Sequence, residues 1–170
     1  MQSFHPENPT CGTGPTTVFV TSQTFAGDLG GIVGADQICN NLAQNAGLPG
    51  TYIAWLSTST VNARDRLNSN GPYRLVIGTI IADDLQDLLD GFLDAPINID
   101  ENGTLILGNQ EVWTGTLADG SAALGRCSDW TANSNSVFGT AGNATSTAQS
   151  WTVFVNLNCS MFNRLYCFQQ

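Results

Sequence analysis

Four of the five cysteines, Cys39, Cys127, Cys159 and Cys167, sit in or beside apolar segments, and no two of the five form C-x-x-C. That excludes a zinc ribbon and a thioredoxin motif. The single histidine is His5, in a polar N-terminal stretch, so a Cys/His metal site has almost no ligands to draw on. Two structural disulfides formed in an oxidising compartment suit four such cysteines. Buried free thiols in a cytosolic protein are the other reading. Cys11 is left over: free, paired with a second chain, or joined to a segment outside this sequence. At 170 residues with 42% hydrophobic content the chain makes one domain with a real core.

The charge balance narrows the function. Only 11% of residues are charged, there is no lysine, and five arginines face fourteen acids for a net charge of −9. Nucleic acid, heparin and anionic lipid all require dense positive charge, so none of them is an expected partner. No apolar run approaches the roughly 20 residues of a membrane span, so membrane insertion is not expected either. The start, Met1 to Pro6, has neither a basic n-region nor an apolar h-region and does not read as a signal peptide. An exported protein of this sequence is then a mature form, an excised domain or the product of a leaderless route.

Along the chain, residues 1–15 carry Pro6, Pro9, Pro15 and two glycines and read as an extended arm, with residues 16–170 as the domain. Thr16 to Phe25 reads as a strand. From Gly34 to Ala46, apolar residues recur at three- and four-residue steps (Ala35, Ile38, Cys39, Leu42, Ala43, Ala46), the pattern of a helix with one buried face. Asp36 falls in its first turn, and Gly47 and Pro49 stop it. Tyr52–Leu56 and Tyr73–Ile81 read as strands. Asp83 to Phe92 reads as a second helix, with Asp83 as its N-cap. Short strands follow at Thr104–Leu107 and Glu111–Leu117. Residues 131–150 are rich in Ser, Thr, Asn and Gly, with bulk only at Val137 and Phe138, and read as one long loop. Trp151–Leu157 and Arg164–Phe168 read as a closing hairpin. Few helices early and strands late make an α+β pattern rather than an alternating one.

Gly30-Gly31-Ile32-Val33-Gly34-Ala35-Asp36-Gln37-Ile38-Cys39, followed by Ala46-Gly47-Leu48-Pro49-Gly50-Thr51-Tyr52-Ile53-Ala54-Trp55-Leu56-Ser57, resembles the collagen-derived endostatin domain. Val112-Trp113-Thr114-Gly115, Cys127-Ser128-Asp129-Trp130 and Leu165-Tyr166-Cys167 fall in the same order, so the likeness covers most of residues 17–168. The chain is more similar still to an uncharacterised bacterial family of exported surface lipoproteins. The resemblance implies a C-type lectin-like fold: a mixed twisted sheet, two helices, long loops, and nested disulfides Cys39–Cys167 and Cys127–Cys159. Cys11 has no counterpart. The family's zinc histidines and heparin-binding arginines are missing, so neither activity carries over. The E-P-N, Q-P-D and W-N-D tripeptides of calcium-dependent lectins are missing too.

Seven acids lie between residues 83 and 101. Among them Asp94, Asp100 and Glu101 are the candidates for a calcium site, although no EF-hand spacing is present. No nucleophile–His–acid set, P-loop or dinucleotide fingerprint occurs, so an enzyme is not expected. Trp113 and Trp130 lie near loops, where an indole can stack on a sugar or anchor a protein contact; core packing is the alternative for both. Asn133 and Asn135 suit hydroxyl recognition. The expectation is a non-catalytic, extracellular or cell-surface recognition and adhesion module for a glycan or surface protein, with loops 57–72, 94–110 and 131–150 as its binding face. The alternative is a subunit or tip domain of a bacterial surface filament, self-associating through residues 1–15 and Cys11.

Overall fold

A computed structural model describes residues 15–170; Cys11, His5 and the arm assigned to residues 1–15 lie, except for Pro15, outside the described residues. The chain forms a mixed α+β fold on a twisted eight-stranded sheet. The strands are β1 (Thr16–Val20), β2 (Tyr52–Ala54), β3 (Tyr73–Leu75), β4 (Ile80–Ala82), β5 (Glu111–Trp113), β6 (Phe138–Asn143), β7 (Val155–Asn158) and β8 (Arg164–Gln169). Their order is β4-β3-β1-β8-β5-β6-β7, with β2 paired to β8 off that path. β8 is the hub, antiparallel to β1 and β2 and parallel to β5.

The hub position explains why Arg164 to Phe168 is buried at every residue. Successive side chains of a strand point to opposite faces. Tyr166 and Phe168 therefore join Val18, Val20, Trp55 and Trp151 on one side of the sheet. Leu165 and Cys167 join Phe19, Cys39, Trp113 and Trp130 on the other. A strand covered on both faces reads as a continuous apolar run rather than an alternating one.

Helix α1 (Gly31–Asn45) packs Ala35, Cys39, Leu42 and Ala43 into the second of these cores. It begins three residues before the expected Gly34, after Gly30 turns the chain at φ 86°. Asp36 therefore lies beyond the first turn and is not a dipole partner. It accepts the Ala54 N–H at 2.9 Å and the Arg66 guanidinium at 2.5 Å. One turn later Asn40 accepts the Tyr52 N–H at 2.7 Å. Residues four apart share a helix face, so this pair satisfies backbone donors of β2 that have no strand beside them. The bridge Cys39–Cys167 locks the same helix to β8, and Cys127–Cys159 closes the second pair. Both match the pairing that the endostatin-like resemblance implies.

Several boundaries depart from expectation. Tyr73–Ile81 is two strands, β3 and β4, folded at a turn in which the Gly78 N–H donates to the Leu75 carbonyl at 2.8 Å. The second helix is only α2 (Leu85–Leu88), and its cap is Asp84, not Asp83: the Asp84 carboxylate accepts the Asp87 N–H at 2.8 Å. The closing hairpin is not one, since β7 pairs with β6 and not with β8. The expected loop 131–150 contains β6, whose Gly139, Thr140, Ala141 and Gly142 are buried. Beyond the two expected helices the described residues form two short 3-10 turns (Ala63–Arg66 and Gln149–Trp151) and α3 (Cys127–Trp130), a single left-handed turn with φ of 50°, 54°, 56° and 68°.

Candidate functional site

The left-handed turn is the one run of consecutive non-glycine residues at positive φ among the described residues. L-residues in this region cost roughly 1–2 kcal/mol each, so the surroundings must hold them. Cys127 is bridged to Cys159. The Trp130 indole N–H donates to the Ser57 carbonyl at 2.8 Å, and the Trp130 backbone N–H donates to the Arg126 carbonyl at 2.9 Å. Ser59 donates its N–H and its hydroxyl to the two oxygens of Asp129 at 2.8 and 2.6 Å. Space is cleared by Gly139, where a Cβ would stand 2.7 Å from the Cys127 sulfur and 2.9 Å from the Trp113 ring.

Held this way, the turn forms the floor of an open cleft of about 510 Å³ lined by Ser59, Leu124, Arg126, Ser128, Asp129, Val137 and Phe138. Leu124 is 96% exposed and Phe138 54% exposed. The cleft thus pairs two bare apolar walls with an ion pair, Arg126 Nε to Asp129 at 3.4 Å. The Ser59 hydroxyl, aided by the Ser59 N–H and Arg126 against partial desolvation, holds the Asp129 carboxyl below its ordinary range. The Arg126 Nε is buried and makes no hydrogen bond. Apolar walls beside a few fixed polar groups are the features general to small-ligand sites.

A family model described as "Protein of unknown function (DUF1554)" matches residues 22–147. The chain belongs to that family. The matched span holds every residue that lines the cleft. No curated protein matches the chain.

Within the DUF1554 chain, the residues expected from sequence are distributed unevenly. Trp113 and Trp130 are both fully buried, with ring centroids 6.0 Å apart. Neither can stack on a sugar, which corrects their assignment as ligand contacts. They belong to the buried core instead, each indole N–H taken by a carbonyl (Phe25 for Trp113, Ser57 for Trp130). Asn133 and Asn135 are exposed on the segment that follows the turn. Asn133 lines a second, smaller cleft of about 320 Å³ with Thr24, Phe25, Asp28 and Phe162. Its amide reaches Asp28 at 3.4 Å.

The calcium trio does not form. Asp100 and Glu101 are buried and used internally. Asp100 accepts the N–H groups of Asn102 and Thr104 at 2.9 and 3.0 Å, and Glu101 accepts both the N–H and the hydroxyl of Ser22. The buried Arg164 guanidinium, bonded to the carbonyls of Thr21, Ser22 and Asn109, feels both carboxylates. Asp94 belongs to another cluster, with Asp83 and Asp87, in which one oxygen of each lies within 4.8 Å of the others. Partial desolvation, then the charges of Asp87 and Asp83, raises the Asp94 carboxyl above its ordinary range. Three hard oxygens so placed are the described residues best able to hold a divalent cation.

Sequence reasoning did not single out Ser59, Leu124, Arg126 or Asp129 as a site. One signal was present: Phe138 is the sole aromatic residue in the polar stretch 131–150.

Proposed function

We propose that this DUF1554 domain is a non-catalytic, extracytoplasmic recognition module of the cell surface that binds a glycan at the cleft over the left-handed turn. The observation that carries this reading is the pairing of exposed Phe138 and Leu124 with the polar row Ser59, Arg126, Ser128 and Asp129 in one cleft. Sugar rings offer an apolar C–H face and a rim of hydroxyls. An aromatic wall suits the first, and oriented hydrogen-bond groups suit the second. The net charge of −9 supports a neutral rather than an anionic ligand. Two disulfides support an oxidising, extracytoplasmic setting. The resemblance to endostatin-like domains and exported bacterial surface lipoproteins supports a C-type lectin-like frame, with the helix stapled to the last strand and the loops left to make contacts.

The test is a glycan array probed with the whole chain, followed by titration calorimetry of any hit against Phe138→Ala and Arg126→Gln. The expected result is a glycan whose affinity falls about tenfold or more in each variant, about 1.4 kcal/mol. A blank array, or a hit indifferent to both changes, overturns the glycan reading. A surface protein retained by the wild type and lost by Phe138→Ala would then be the ligand.

A further inference from the structure

We propose that the free edge of β7 is a self-association surface, on which two copies of the chain pair their β7 strands antiparallel about a two-fold axis. β7 ends the sheet, with β6 on one side and no strand on the other among the described residues. The hydrogen bonding of β6 identifies the groups left over. Thr140 donates its N–H to the Gly125 carbonyl at 2.9 Å, and its carbonyl accepts the N–H groups of Thr114 and Gly115 at 3.0 Å each. Both backbone groups of Thr140 therefore point away from β7. Asn156 stands opposite Thr140. In an antiparallel ladder such a non-bonded pair turns its N–H and C=O outward on both strands, so both groups of Asn156 point away from β6 and meet no backbone partner among the described residues. The N–H of Asn158 does the same, while its carbonyl accepts the Met161 N–H at 3.1 Å.

Unpaired backbone groups in this geometry call for another strand, and proteins commonly defend such an edge with lysine, proline or a bulge. Val155-Asn156-Leu157-Asn158 carries no charge and no proline. The neutrality extends further. No acidic residue follows Asp129 in the sequence, and the one charged side chain from residue 130 onward, Arg164, is buried. Phe138, across from Asn158, and Phe154, the residue before β7, are each exposed by about half. A molecule with a net charge of −9 thus ends its sheet on a strand without charged side chains, flanked by two half-exposed rings, of which Phe138 also lines the cleft that holds the mutually paired Arg126 and Asp129.

Those features fit a second copy. Two such molecules repel through their acidic regions and meet without conflict at their neutral borders. With the axis at Asn156, its N–H and C=O exchange with the same groups of the other copy, and Val155 faces Leu157 in both directions. This contact is isologous and closes at two copies. Pairing of β7 with the opposite sheet edge, which would build a fibre, is disfavoured. There the Ile81 carbonyl of β4 already accepts the Asp94 N–H at 2.9 Å, and Asp83, Asp87 and Asp94 cluster alongside.

Sedimentation velocity of the full chain in a Cys11→Ser background, over a range of concentrations, tests this without a cross-link through Cys11. The parent is expected to reach a dimer at high-micromolar concentration. Asn156→Lys sets like charges opposite each other, and Asn156→Pro removes the outward donor. Each is expected to weaken the dimer about tenfold or more, with circular dichroism and melting preserved in at least one of them. Gln37→Lys, which adds the same charge on the exposed side of α1, is expected to leave the dimer intact. A parent that stays monomeric overturns the proposal, as does a dimer equally stable in Gln37→Lys and in both Asn156 variants, or an assembly that grows beyond two.

Discussion

Ser59 holds both oxygens of Asp129, through its N–H at 2.8 Å and its hydroxyl at 2.6 Å. The two residues lie 70 positions apart, on the loop after β2 and on the left-handed turn. The contact is thus the polar counterpart of the Cys127–Cys159 bridge: one clamps the middle of the turn, the other its start.

That relationship predicts an acid-sensitive clamp. Asp129 is held below its ordinary range in the folded state, chiefly by the Ser59 hydroxyl. Between the depressed folded value and the ordinary value the unfolded chain binds more protons. Stability therefore rises with pH through that window, is fully present above the ordinary aspartate range, and is lost as pH falls through the folded pKa. Asp129→Asn is expected to flatten the acid limb of a melting-temperature profile, with Ser59→Ala partway between. Superimposable acid limbs for wild type and Asp129→Asn would show that the clamp contributes no such linkage.

Gly139 is predicted to be intolerant of even one methyl group. A Cβ there would meet the Cys127 sulfur at 2.7 Å and the Trp113 ring at 2.9 Å. Both neighbours are fully buried, and neither can swing away. Overpacking of this kind typically costs 1–3 kcal/mol. Urea unfolding of Gly139→Ala should show a lower midpoint with an unchanged slope. A wild-type midpoint would mean that the bridge and the indole relax freely.

The same glycine shows why part of the fold was illegible in sequence. β8 and α1 announced themselves because apolar residues fill both faces of the first and recur with the helical period in the second. In β6 the space beside Gly139 is taken by the Trp113 ring and that beside Gly142 by the backbone of Trp151 and Thr152, so the strand itself is Gly-Thr-Ala-Gly and looks like loop. Trp113 and Trp130 looked accessible because they border turns. Their indole donors find carbonyls there, which lets them be buried beside polar chain. The left-handed turn left no trace at all, because Cys-Ser-Asp-Trp contains no glycine to mark positive φ. The cleft inherits that opacity: its floor is a backbone conformation, and its walls come from three separate segments.

Asp94 should behave oppositely to Asp129. Its folded pKa is raised, first by desolvation and then by Asp87 and Asp83. The folded state binds more protons than the unfolded state between the ordinary and the raised values, so stability falls as pH rises through that window. Asp94→Asn is therefore expected to be more stable than wild type at neutral pH in buffer containing a chelator, and equal to it at low pH. Thermal melts at the two pH values decide this. An Asp94→Asn protein that gains nothing at neutral pH would show that the three carboxylates do not repel one another appreciably.

The two disulfides should differ in what their loss disrupts. Cys39–Cys167 spans 128 residues and Cys127–Cys159 spans 32. In the chain-entropy model those closures correspond to about 5 and about 4 kcal/mol respectively. Replacing both cysteines of a pair with alanine should therefore lower global stability slightly more for the long loop. The local outcome is expected to reverse. Without Cys39–Cys167, α1 keeps its buried face and its Asp36 and Asn40 contacts with β2, and the cleft survives. Without Cys127–Cys159, the first residue of a turn made wholly of strained L-residues loses its anchor, and Ser128 and Asp129 should leave the left-handed region. Backbone chemical shifts of those two residues report this directly, beside urea midpoints for both variants. Wild-type shifts in the Cys127/Cys159 variant would assign the turn to Ser59 and Trp130 alone, and the bridge would then serve global stability without shaping the cleft.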